Sequence, residues 1–365
     1  MRGLRIVELV PSLDVGGAER MAALMAMELQ ALGHRVTLVS LYDSTGSWIE
    51  AELRSAGVPL RFLGKEPGLD LRVIPRLRSL LRGLRPDVVH THLHTLKYLL
   101  PAGFGLGHRV VHTIHNLAEH EIELSGRVVH HLAFRAGVVP VAIGDAVAAS
   151  VRRTYGLAPG RTIPNGIPVA ASVAPDGARA QVREELGLPG DVPVVVTVGR
   201  LNPQKNHALL LEAFARLPPA VHLLVVGEGE LRGELSRRAG ELGIGGRVHF
   251  LGVRRDVPRV LAAADVFALA SGWEGNPLVV MEAMAAGLPV VATSVGCVPE
   301  LVAPDTGRLV PPGEPAAFAA ALAELCSDLV LARRLGTAAR AVALARFDAP
   351  VMARAYTELF AVLTK

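Results

Sequence analysis

Two glutamates separated by seven residues, Glu274 and Glu282, are the side chains best placed to do chemistry in this sequence. Between them lies a proline that suits the first position of a helix, preceded by a glycine and an asparagine that suit its cap. The apolar run 278–286 then predicts a buried helix with Glu282 in its second turn. Both carboxylates and the free N–H groups of the first turn would face one pocket. Such a pocket suits a ligand with hydroxyls and phosphate, for example a nucleotide sugar.

A basic turn, 199–206, directly follows a predicted strand and carries Arg200 and Lys205. Two cations at the carboxyl end of a strand can clamp a diphosphate, the arginine through its planar fork and the lysine as a point charge. Taken alone, the turn is explained more simply as a solvated basic loop. Farther along, Val253 and Arg254 suit either the wall of a base pocket or an ordinary loop.

Paired glycines, Gly16 and Gly17, follow the first predicted strand and open a helix. They let the backbone approach a ligand closely, and the helix N-terminus attracts phosphate. An ordinary turn between a strand and a helix remains an equal alternative. The sequence has neither the spaced G-x-G-x-x-G of dinucleotide sites nor the G-x-x-x-x-G-K-[ST] of P-loop NTPases.

Histidines are concentrated at the ends of two predicted strands, in 90–94 and 112–116. Alternating histidines can form a metal site, but no cysteine or acidic ligand accompanies them at a recognised spacing. No Asp-x-Asp pair occurs either, so we predict neither a metal nor a cofactor. His115, at the tip of its strand, is the candidate functional member, and we expect the others to be structural or on the surface.

Composition and length describe an ordinary two-domain protein. The chain has 365 residues, of which 50% are hydrophobic and 20% charged, with a net charge of +4 that makes no case for a nucleic-acid partner. Cys297 and Cys326 are the only cysteines, which fits a reducing compartment. The apolar N-terminal run is too short for a signal peptide and contains Glu8. We expect a cytoplasmic protein.

Short apolar runs alternate with helical patterns along the chain, which predicts parallel βαβ units. The pattern breaks at a turn-rich, flexible segment, 164–175. We therefore predict two Rossmann-like, doubly wound domains, 1–167 and 168–349, with a last helix, 350–365, packing back on the first. The predicted strands are Arg5–Val10, Arg35–Leu41, Pro59–Leu63, Asp87–His90, Arg109–His115, Val138–Ile143, Val192–Val198, His222–Val226, Val248–Leu251, Val266–Leu269, Pro289–Thr293 and Gly307–Val310. Ligands of such sheets bind beyond the carboxyl ends of the strands, here in an interdomain cleft.

Taken in order, these segments resemble glycosyltransferase family 4, the retaining sugar-nucleotide transferases of the GT-B fold. The resemblance covers nearly the whole chain and rests on the Gly16-Gly17 turn, 112–116, 164–167, 199–206 and the E-x7-E segment 274–282. Asn276 departs from the family, whose members usually carry an apolar residue there, and this bears on the identity of the donor sugar. Pro168 stands where aspartate is common.

The resemblance implies an α/β protein of the GT-B fold that transfers a hexose, without metal or cofactor, from a nucleotide sugar to a hydroxyl with retention. It implies a sugar, glycan or lipid-linked acceptor in polysaccharide, glycolipid or cell-envelope glycan synthesis. It also implies a role for each matching residue: Arg200 and Lys205 on the donor diphosphate, Glu282 on the ribose, Glu274 on the hexose, the backbone of Gly275, Asn276, Pro277 and Leu278 on sugar and phosphate, Gly16 and Gly17 on the phosphates, and His115 on the sugar.

Other functions compete with this interpretation. A sugar-nucleotide epimerase of the same fold would need acid and base groups at the sugar, and a catalytically silent partner subunit would not need both cations and both glutamates. A further hypothesis is peripheral contact with the cytoplasmic face of a membrane, because arginines alternate with leucines over 72–85. A solvated helix face explains that pattern equally.

Overall fold

The computed structural model describes residues 3–14, 16–189 and 191–365, and these form two compact units. Unit 1 runs up to Gly166 and takes in Ala349–Lys365, while unit 2 is Ile167–Asp348. Both ends of unit 2 lie one residue before the predicted boundaries. The predicted domains also contain Met1, Arg2, Val15 and Gly190, which lie outside the described residues.

Unit 1 is built on a parallel sheet of seven strands within the described residues, in the order β3-β2-β1-β4-β5-β6-β7. The strands are β1 (Arg5–Val10), β2 (Arg35–Ser40), β3 (Leu60–Phe62), β4 (Val88–His92), β5 (Arg109–Ile114), β6 (Val139–Ala142) and β7 (Arg161–Thr162). The short edge strand β7 was not predicted, since two residues leave no periodic pattern to read. The chain order reverses between β1 and β4, which makes these neighbouring strands the switch point of the sheet.

The helices of unit 1 cover the sheet with small and aliphatic side chains. Helix α1, for example, buries Met21, Met25 and Leu29, spaced four residues apart on one face. The helices are α1 (Gly17–Ala31), α2 (Trp48–Ser55), α3 (Val73–Leu84), α4 (Leu96–Gly103), α5 (Ala118–Glu121), α6 (Leu124–Arg135) and α7 (Asp145–Tyr155).

Unit 2 has a parallel sheet of six strands within the described residues, in the order β10-β9-β8-β11-β12-β13. The strands are β8 (Val194–Val198), β9 (His222–Val226), β10 (Val248–Gly252), β11 (Val266–Leu269), β12 (Val290–Thr293) and β13 (Gly307–Val310). Their runs of valine and leucine are buried on both faces, as expected where helices cover a parallel sheet. The chain order reverses between β8 and β11, the switch point of this sheet.

The helices of unit 2 are α8 (Ala178–Glu185), α9 (His207–Phe214), α10 (Arg232–Glu241), α11 (Val257–Ala263), α12 (Leu278–Ala285), α13 (Val298–Leu301), α14 (Pro315–Ser327) and α15 (Leu329–Arg346). Among the described residues, none of the helices is by itself long and apolar enough to cross a membrane. Only α14 and α15 together meet that length and composition, and the pair is bent by 100° at its break.

The last helix, α16 (Ala349–Leu363), packs on unit 1. Its Tyr356 and Phe360 are buried, and the hydroxyl of Tyr356 lies 2.6 Å from Thr113 Oγ1 in β5. Where the chain leaves unit 1, a Cβ on Gly166 would lie 2.9 Å from the Cα of Ala349, so the two segments cross at glycine distance.

Part of the proline-rich segment 164–175, which was predicted to be flexible, packs against unit 2. The Ile167 N–H donates to the Phe347 carbonyl at 2.8 Å, and Ile167 and Val169 are both 1% exposed. A 3-10 turn, Val169–Ser172, follows. Ile167 and Val169 belong to the unit 2 core. The sequence pattern did not indicate this, because prolines and small residues surround them.

Predicted and observed elements agree closely elsewhere. Each predicted strand is present, with ends that differ by two residues at most, and so are the predicted helices. The prediction of two doubly wound parallel sheets is thereby confirmed.

Candidate active site

The switch point of the unit 2 sheet gathers the candidate residues of that unit. Strands β8 and β11 are hydrogen-bonded neighbours there. The chain leaving β8 carries Arg200 and Lys205, and the chain leaving β11 carries Glu274. Residues from two crossovers that run in opposite directions therefore meet at one edge of the sheet, the usual ligand-binding position of such folds.

Two asparagines shape the turn after β8. The Asn202 side chain accepts a hydrogen bond from the Lys205 N–H at 3.2 Å and starts the 3-10 turn Pro203–Lys205. Asn206 is in the left-handed conformation, with φ 46°, and its side chain accepts from the Leu209 N–H at 3.4 Å. Asn206 therefore caps α9, and the two caps together fix where the lysine leaves the backbone.

Lys205 and Glu274 form a largely buried ion pair. Lys205 Nζ lies 2.6 Å from Glu274 Oε1, and the Ser271 hydroxyl donates to the same oxygen at 2.6 Å. The Lys205 side chain is 16% exposed and that of Glu274 5%. The Thr293 hydroxyl, at the end of β12, donates to the Ser271 carbonyl at 2.6 Å. The carboxylate thus has a paired charge and a hydrogen-bond donor, which a buried charge requires.

Arg200 differs from Lys205 in that its side chain is exposed. Among the described residues it has no ion pair and no side-chain hydrogen bond. Its guanidinium is therefore available to an anion at the switch point, whereas the lysine already faces a carboxylate.

Glu282 lies on α12, which begins one residue later than predicted. Pro277 has ψ 115° and its carbonyl accepts from the Val280 N–H, so it is the N-cap and Leu278 is the first helical residue. The prediction placed Pro277 inside the helix and the cap on Gly275 or Asn276. A proline in extended conformation can accept the first helical bond without needing an N–H, and this explains the difference. Glu282 is 6% exposed and remains in the second turn.

The loop after β12 packs against the backbone of Glu274 and Gly275. The Cys297 N–H donates to the Gly275 carbonyl at 3.0 Å. Gly296 has φ +51°, and a Cβ there would lie 1.8 Å from the Glu274 carbonyl oxygen. Sequence reasoning missed this glycine, although the ends of adjacent parallel strands must meet and both strands were predicted.

Two more glycines were misjudged from sequence. Gly227 and Gly229, with Gly233, miss the G-x-G-x-x-G spacing by one residue, and no other sequence signal marked them. A Cβ on Gly227 would lie 2.0 Å from the Gly199 carbonyl oxygen, and one on Gly229 would lie 2.3 Å from that of Leu201. Their role is to let the loop after β9 run against the turn that carries Arg200.

Arg254 follows β10, two strands away from β8. Asp256 grips its guanidinium through two bonds, at 2.8 Å to Nε and 2.7 Å to Nη2. This hydrogen bonding raises the pKa of Arg254 and lowers that of Asp256. Arg259 also reaches Asp256, at 3.3 Å. The residue predicted for a base pocket is therefore held inside an ion-pair cluster.

In unit 1, Gly16 is the N-cap of α1 and Gly17 its first residue. Gly16 has an ordinary extended backbone, with φ −150°. A Cβ on Gly17 would meet nothing within 4 Å, so the helix start is open on that side. The preceding residue of the predicted turn, Val15, lies outside the described residues.

A buried cluster lies at the unit 1 switch point. Glu8 of β1 faces His90 and His92 of β4, and the three side chains are nearly inaccessible. Glu8 Oε2 lies 2.9 Å from His90 Nδ1 and 2.9 Å from His92 Nε2. Burial raises the pKa of Glu8 and lowers the pKa of each histidine to about 3.

His115, just beyond β5, joins the cluster through a ring-to-ring contact. Its Nε2 lies 2.8 Å from His92 Nδ1, and burial lowers its pKa to about 3. Its backbone N–H donates to Glu121 Oε1 at 3.1 Å, and burial raises the pKa of that carboxyl to about 7. The side chain of His115 is half-buried, unlike those of His90 and His92.

Glu8, His90 and His92 could also hold a metal ion, because their ligand atoms lie within 4.8 Å of one another. The sequence argument against an acidic ligand overlooked Glu8, which lies 82 residues before His90. Their separations of 2.9 Å are hydrogen-bond distances, however, and the second nitrogens of the two rings already contact Thr113 and His115. Hydrogen bonding accounts for the cluster without a metal.

We predict that Gly296→Ala damages the site, while Gly313→Ala does not. Both glycines have positive φ, +51° and +82°, so alanine strains both backbones by about 1 kcal/mol. Only at Gly296 would the new Cβ also strike backbone, the Glu274 carbonyl. We expect a loss of thermal stability beyond that of Gly313→Ala, and weakened nucleotide-sugar binding measured by calorimetry. Equal behaviour of the two variants would contradict the role of the close contact.

Comparison with known proteins supplies the family. The model described as Glycosyl transferases group 1 matches residues 178–342, and that described as Glycosyltransferase Family 4 matches residues 15–171. The D-inositol 3-phosphate glycosyltransferase of Xylanimonas cellulosilytica is 34% identical over 317 residues, covering 76% of this chain and 72% of that protein. The lipopolysaccharide core biosynthesis glycosyltransferase LpsE of Rhizobium meliloti is 37% identical over 180 residues, 49% of this chain and about half of LpsE, 53%.

A solved structure agrees over the full length. HepE of Anabaena, in complex with UDP-glucose, has a TM-score of 0.88 and 26% identity, with 98% of this chain and 100% of HepE covered. The ordered motifs, the two switch-point sheets and these matches lead to one conclusion. The chain is a glycosyltransferase with the GT-B fold and belongs to glycosyltransferase family 4, the group 1 glycosyltransferases.

Proposed function

We propose that the chain transfers a hexose from a nucleotide sugar to a hydroxyl acceptor, with retained anomeric configuration and without a bound metal. The observation that carries this proposal is the pairing of Lys205 with Glu274 beside the exposed Arg200 at the unit 2 switch point. Positive charge for a diphosphate and a carboxylate for sugar hydroxyls stand together there. The complex of HepE with UDP-glucose supports a donor of this class.

Arg200 is the main cation for the donor diphosphate in this proposal. Its guanidinium needs no rearrangement before it binds phosphate, and its planar fork suits two phosphate oxygens. Lys205 contributes further positive charge, while it holds Glu274 in place. Charge that builds on the departing nucleotide is then stabilised by fixed groups, which is where most of the rate enhancement arises in such sites.

The loop and helix after β11 bind the rest of the donor. Glu282 accepts hydrogen bonds from ribose hydroxyls, and the N–H groups at the start of α12 contact sugar and phosphate, along the stretch 275–278. Asn276 is 5% exposed and stands among these groups, so it bears on which hexose is accepted. Arg254, which Asp256 holds in place, is the candidate contact for the base.

Glu274 binds hydroxyls and does not attack the sugar. Its carboxylate is stabilised by an ammonium and a hydroxyl at 2.6 Å each, and this lowers its nucleophilicity. Retention then requires that the acceptor enters on the face the nucleotide leaves, with the leaving phosphate taking the acceptor's proton. The protein's task is positioning and leaving-group stabilisation.

In unit 1 we assign Gly16 and Gly17 to the donor phosphates and His115 to the sugar. The open side of Gly17 and the half-buried ring of His115 support these roles. LpsE acts in lipopolysaccharide core biosynthesis, which supports a glycolipid or glycan acceptor. Synthesis of such molecules from nucleotide sugars favours a cytoplasmic location.

A donor screen tests the proposal. We expect one of the UDP-, GDP- or ADP-linked hexoses to raise the melting temperature and to release nucleotide slowly in EDTA, because fixed side chains take the place of a metal. Once an acceptor is found, NMR of the product should show the donor's anomeric configuration. Inverted product, or binding that depends on added Mg²⁺ or Mn²⁺, would contradict the mechanism. No response from any donor would favour a silent partner subunit.

Arg200→Ala and Glu282→Ala should separate transfer from binding. Loss of Arg200 removes stabilisation of the leaving group, so we expect kcat to fall about 10²- to 10³-fold. Loss of Glu282 removes bonds made equally in ground and transition states, so donor Kd should rise roughly 10- to 100-fold with little change in kcat. Steady-state kinetics and calorimetry measure both. Equal, small effects would contradict these assignments, and Arg216→Ala, on the same unit, is the control.

Peripheral membrane contact is also proposed, but through a different surface from the one the sequence suggested. The apolar side chains of α3, including Val73, Leu77 and Leu81, are buried in unit 1. Three arginines of 72–85 are also committed within the unit: Arg72 to Asp70, Arg76 to the Leu63 carbonyl, and Arg78 to the Ala102 carbonyl. Exposed apolar side chains nearby, Leu69 and Phe104, are 72% and 81% accessible.

We expect the protein to sediment with vesicles that contain anionic lipid at low salt, and to lose this binding in Phe104→Ser. The physical reason is that an exposed aromatic ring can insert at a lipid interface, and anionic head groups attract the basic side chains of the same surface. Val330→Ser, an equally exposed apolar site at 78% on unit 2, should bind as the wild type does. No sedimentation at low salt would end the proposal.

A further inference from the structure

We propose that Glu8 is ionised and that Glu8 and His92 are positioning residues that hold His115 as the Nε2–H tautomer, so that its Nδ1 accepts a hydrogen bond from a hydroxyl of the sugar. The tautomer follows from the charge of Glu8 and from hydrogen bonds within unit 1. Only the identity of the hydroxyl rests on the proposed function.

Both oxygens of Glu8 lie close to the two histidines. His90 Nδ1 hydrogen-bonds to Oε1 at 3.1 Å and also lies 2.9 Å from Oε2, and His92 Nε2 hydrogen-bonds to Oε2 at 2.9 Å. An ionised carboxylate can only accept hydrogen bonds, whereas a protonated one would donate to one of these nitrogens. With Glu8 ionised, both nitrogens carry hydrogen and donate to it.

The hydrogen bond that His92 donates to Glu8 fixes the direction of the next hydrogen bond, between His92 and His115. A neutral imidazole has one N–H, so His92, which donates from Nε2, keeps a lone pair on Nδ1. The partner of Nδ1, at 2.8 Å, is His115 Nε2, which must therefore be the donor. Burial lowers the pKa of His92 and of His115 to about 3, which keeps both rings neutral at physiological pH.

The other branch of the cluster agrees with this polarity. His90 donates from Nδ1, so its Nε2 accepts from the Thr113 hydroxyl at 2.7 Å. That hydroxyl accepts in turn from Tyr356 at 2.6 Å. In this series of hydrogen bonds, from Tyr356 of α16 through Thr113 and His90 to Glu8, every donor has an acceptor.

His115 Nδ1 is the one ring nitrogen left at the open end of this network, since it has no hydrogen bond among the described residues. As a lone pair it accepts from a hydroxyl and repels groups that can only accept. The structure therefore predicts discrimination: a hexose hydroxyl is bound, while a carboxylate at the same position, as in a uronic acid, is rejected.

NMR tests the tautomer without any sugar. In the full chain labelled with ¹⁵N-histidine, long-range ¹H–¹⁵N spectra distinguish protonated from unprotonated ring nitrogens, and His115→Gln and His92→Gln assign the signals. We expect His115 to show Nε2–H and a bare Nδ1 from pH 6 to 8. An Nδ1–H tautomer or an imidazolium would overturn the proposal, as would signals that change on adding Zn²⁺ alone, because the cluster would then be a metal site.

Glu8→Gln tests the cause. An amide keeps an oxygen for one imidazole and presents an NH2 group to the other, because His90 bonds to one carboxylate oxygen and His92 to the other. With the NH2 group facing His92, that ring accepts at Nε2 and donates from Nδ1, so the His115 signals should show the second tautomer. Thr91→Val is the matched control, because it removes a buried hydrogen bond to His112 from the same strand without touching Glu8. Loss of stability in both variants, with a tautomer change only in Glu8→Gln, is the expected result. An unchanged His115 in folded Glu8→Gln would refute the role.

Titration with UDP-glucose and UDP-glucuronate adds the function. We expect the wild type to prefer UDP-glucose, and Glu8→Gln to bind it roughly tenfold more weakly, as for the loss of one hydrogen bond, with the preference reduced. If neither compound binds while the tautomer is as predicted, the proposed donor class fails and the assignment of the cluster stands. Binding of both compounds equally by the wild type would refute the discrimination.

Discussion

The ion pair between Lys205 and Glu274 is the interaction on which the unit 2 site depends. Two charges taken out of water are stable only if each is paired and the remaining lone pairs are used, and Ser271 meets that second need. Removing one partner would leave the other charge buried, at a cost of about 3–5 kcal/mol. The pair therefore ties the turn after β8 to the loop after β11, and the position of the exposed Arg200 follows from that connection.

The same constraint explains the glycines around the site. Loops from adjacent strands can bring a lysine and a glutamate to 2.6 Å only if their backbones nearly touch. At Gly227, Gly229 and Gly296 a Cβ would lie 1.8–2.3 Å from a neighbouring carbonyl oxygen. The ion pair therefore requires that these three positions carry no side chain, although none of the three needs to contact a ligand.

The two sheets and the strand ends that carry the site could be predicted from the sequence, because local sequence patterns determine them. Alternating apolar runs gave both sheets, and the two glutamates with the basic turn pointed to the right strand ends. What could not be predicted depends on register between distant segments. Glu8 meets His90 because β1 and β4 pair in one alignment, and no local pattern marks residues 82 apart as partners. The cap role of Pro277 was missed because the sequence does not reveal ψ.

Each switch point contains a buried glutamate, but the partners of the two glutamates differ in charge. In unit 2 a carboxylate is neutralised by an ammonium, which leaves a second cation, Arg200, for an anionic ligand. In unit 1, Glu8 contacts histidines whose pKa burial lowers, and under our proposal it orders their protons and does not balance a charge. Under the proposed function, Arg200 binds phosphate, which needs fixed charge, and His115 binds a hydroxyl, which needs a defined donor or acceptor. The buried glutamate of each unit would then determine which of these two kinds of ligand group its neighbours bind.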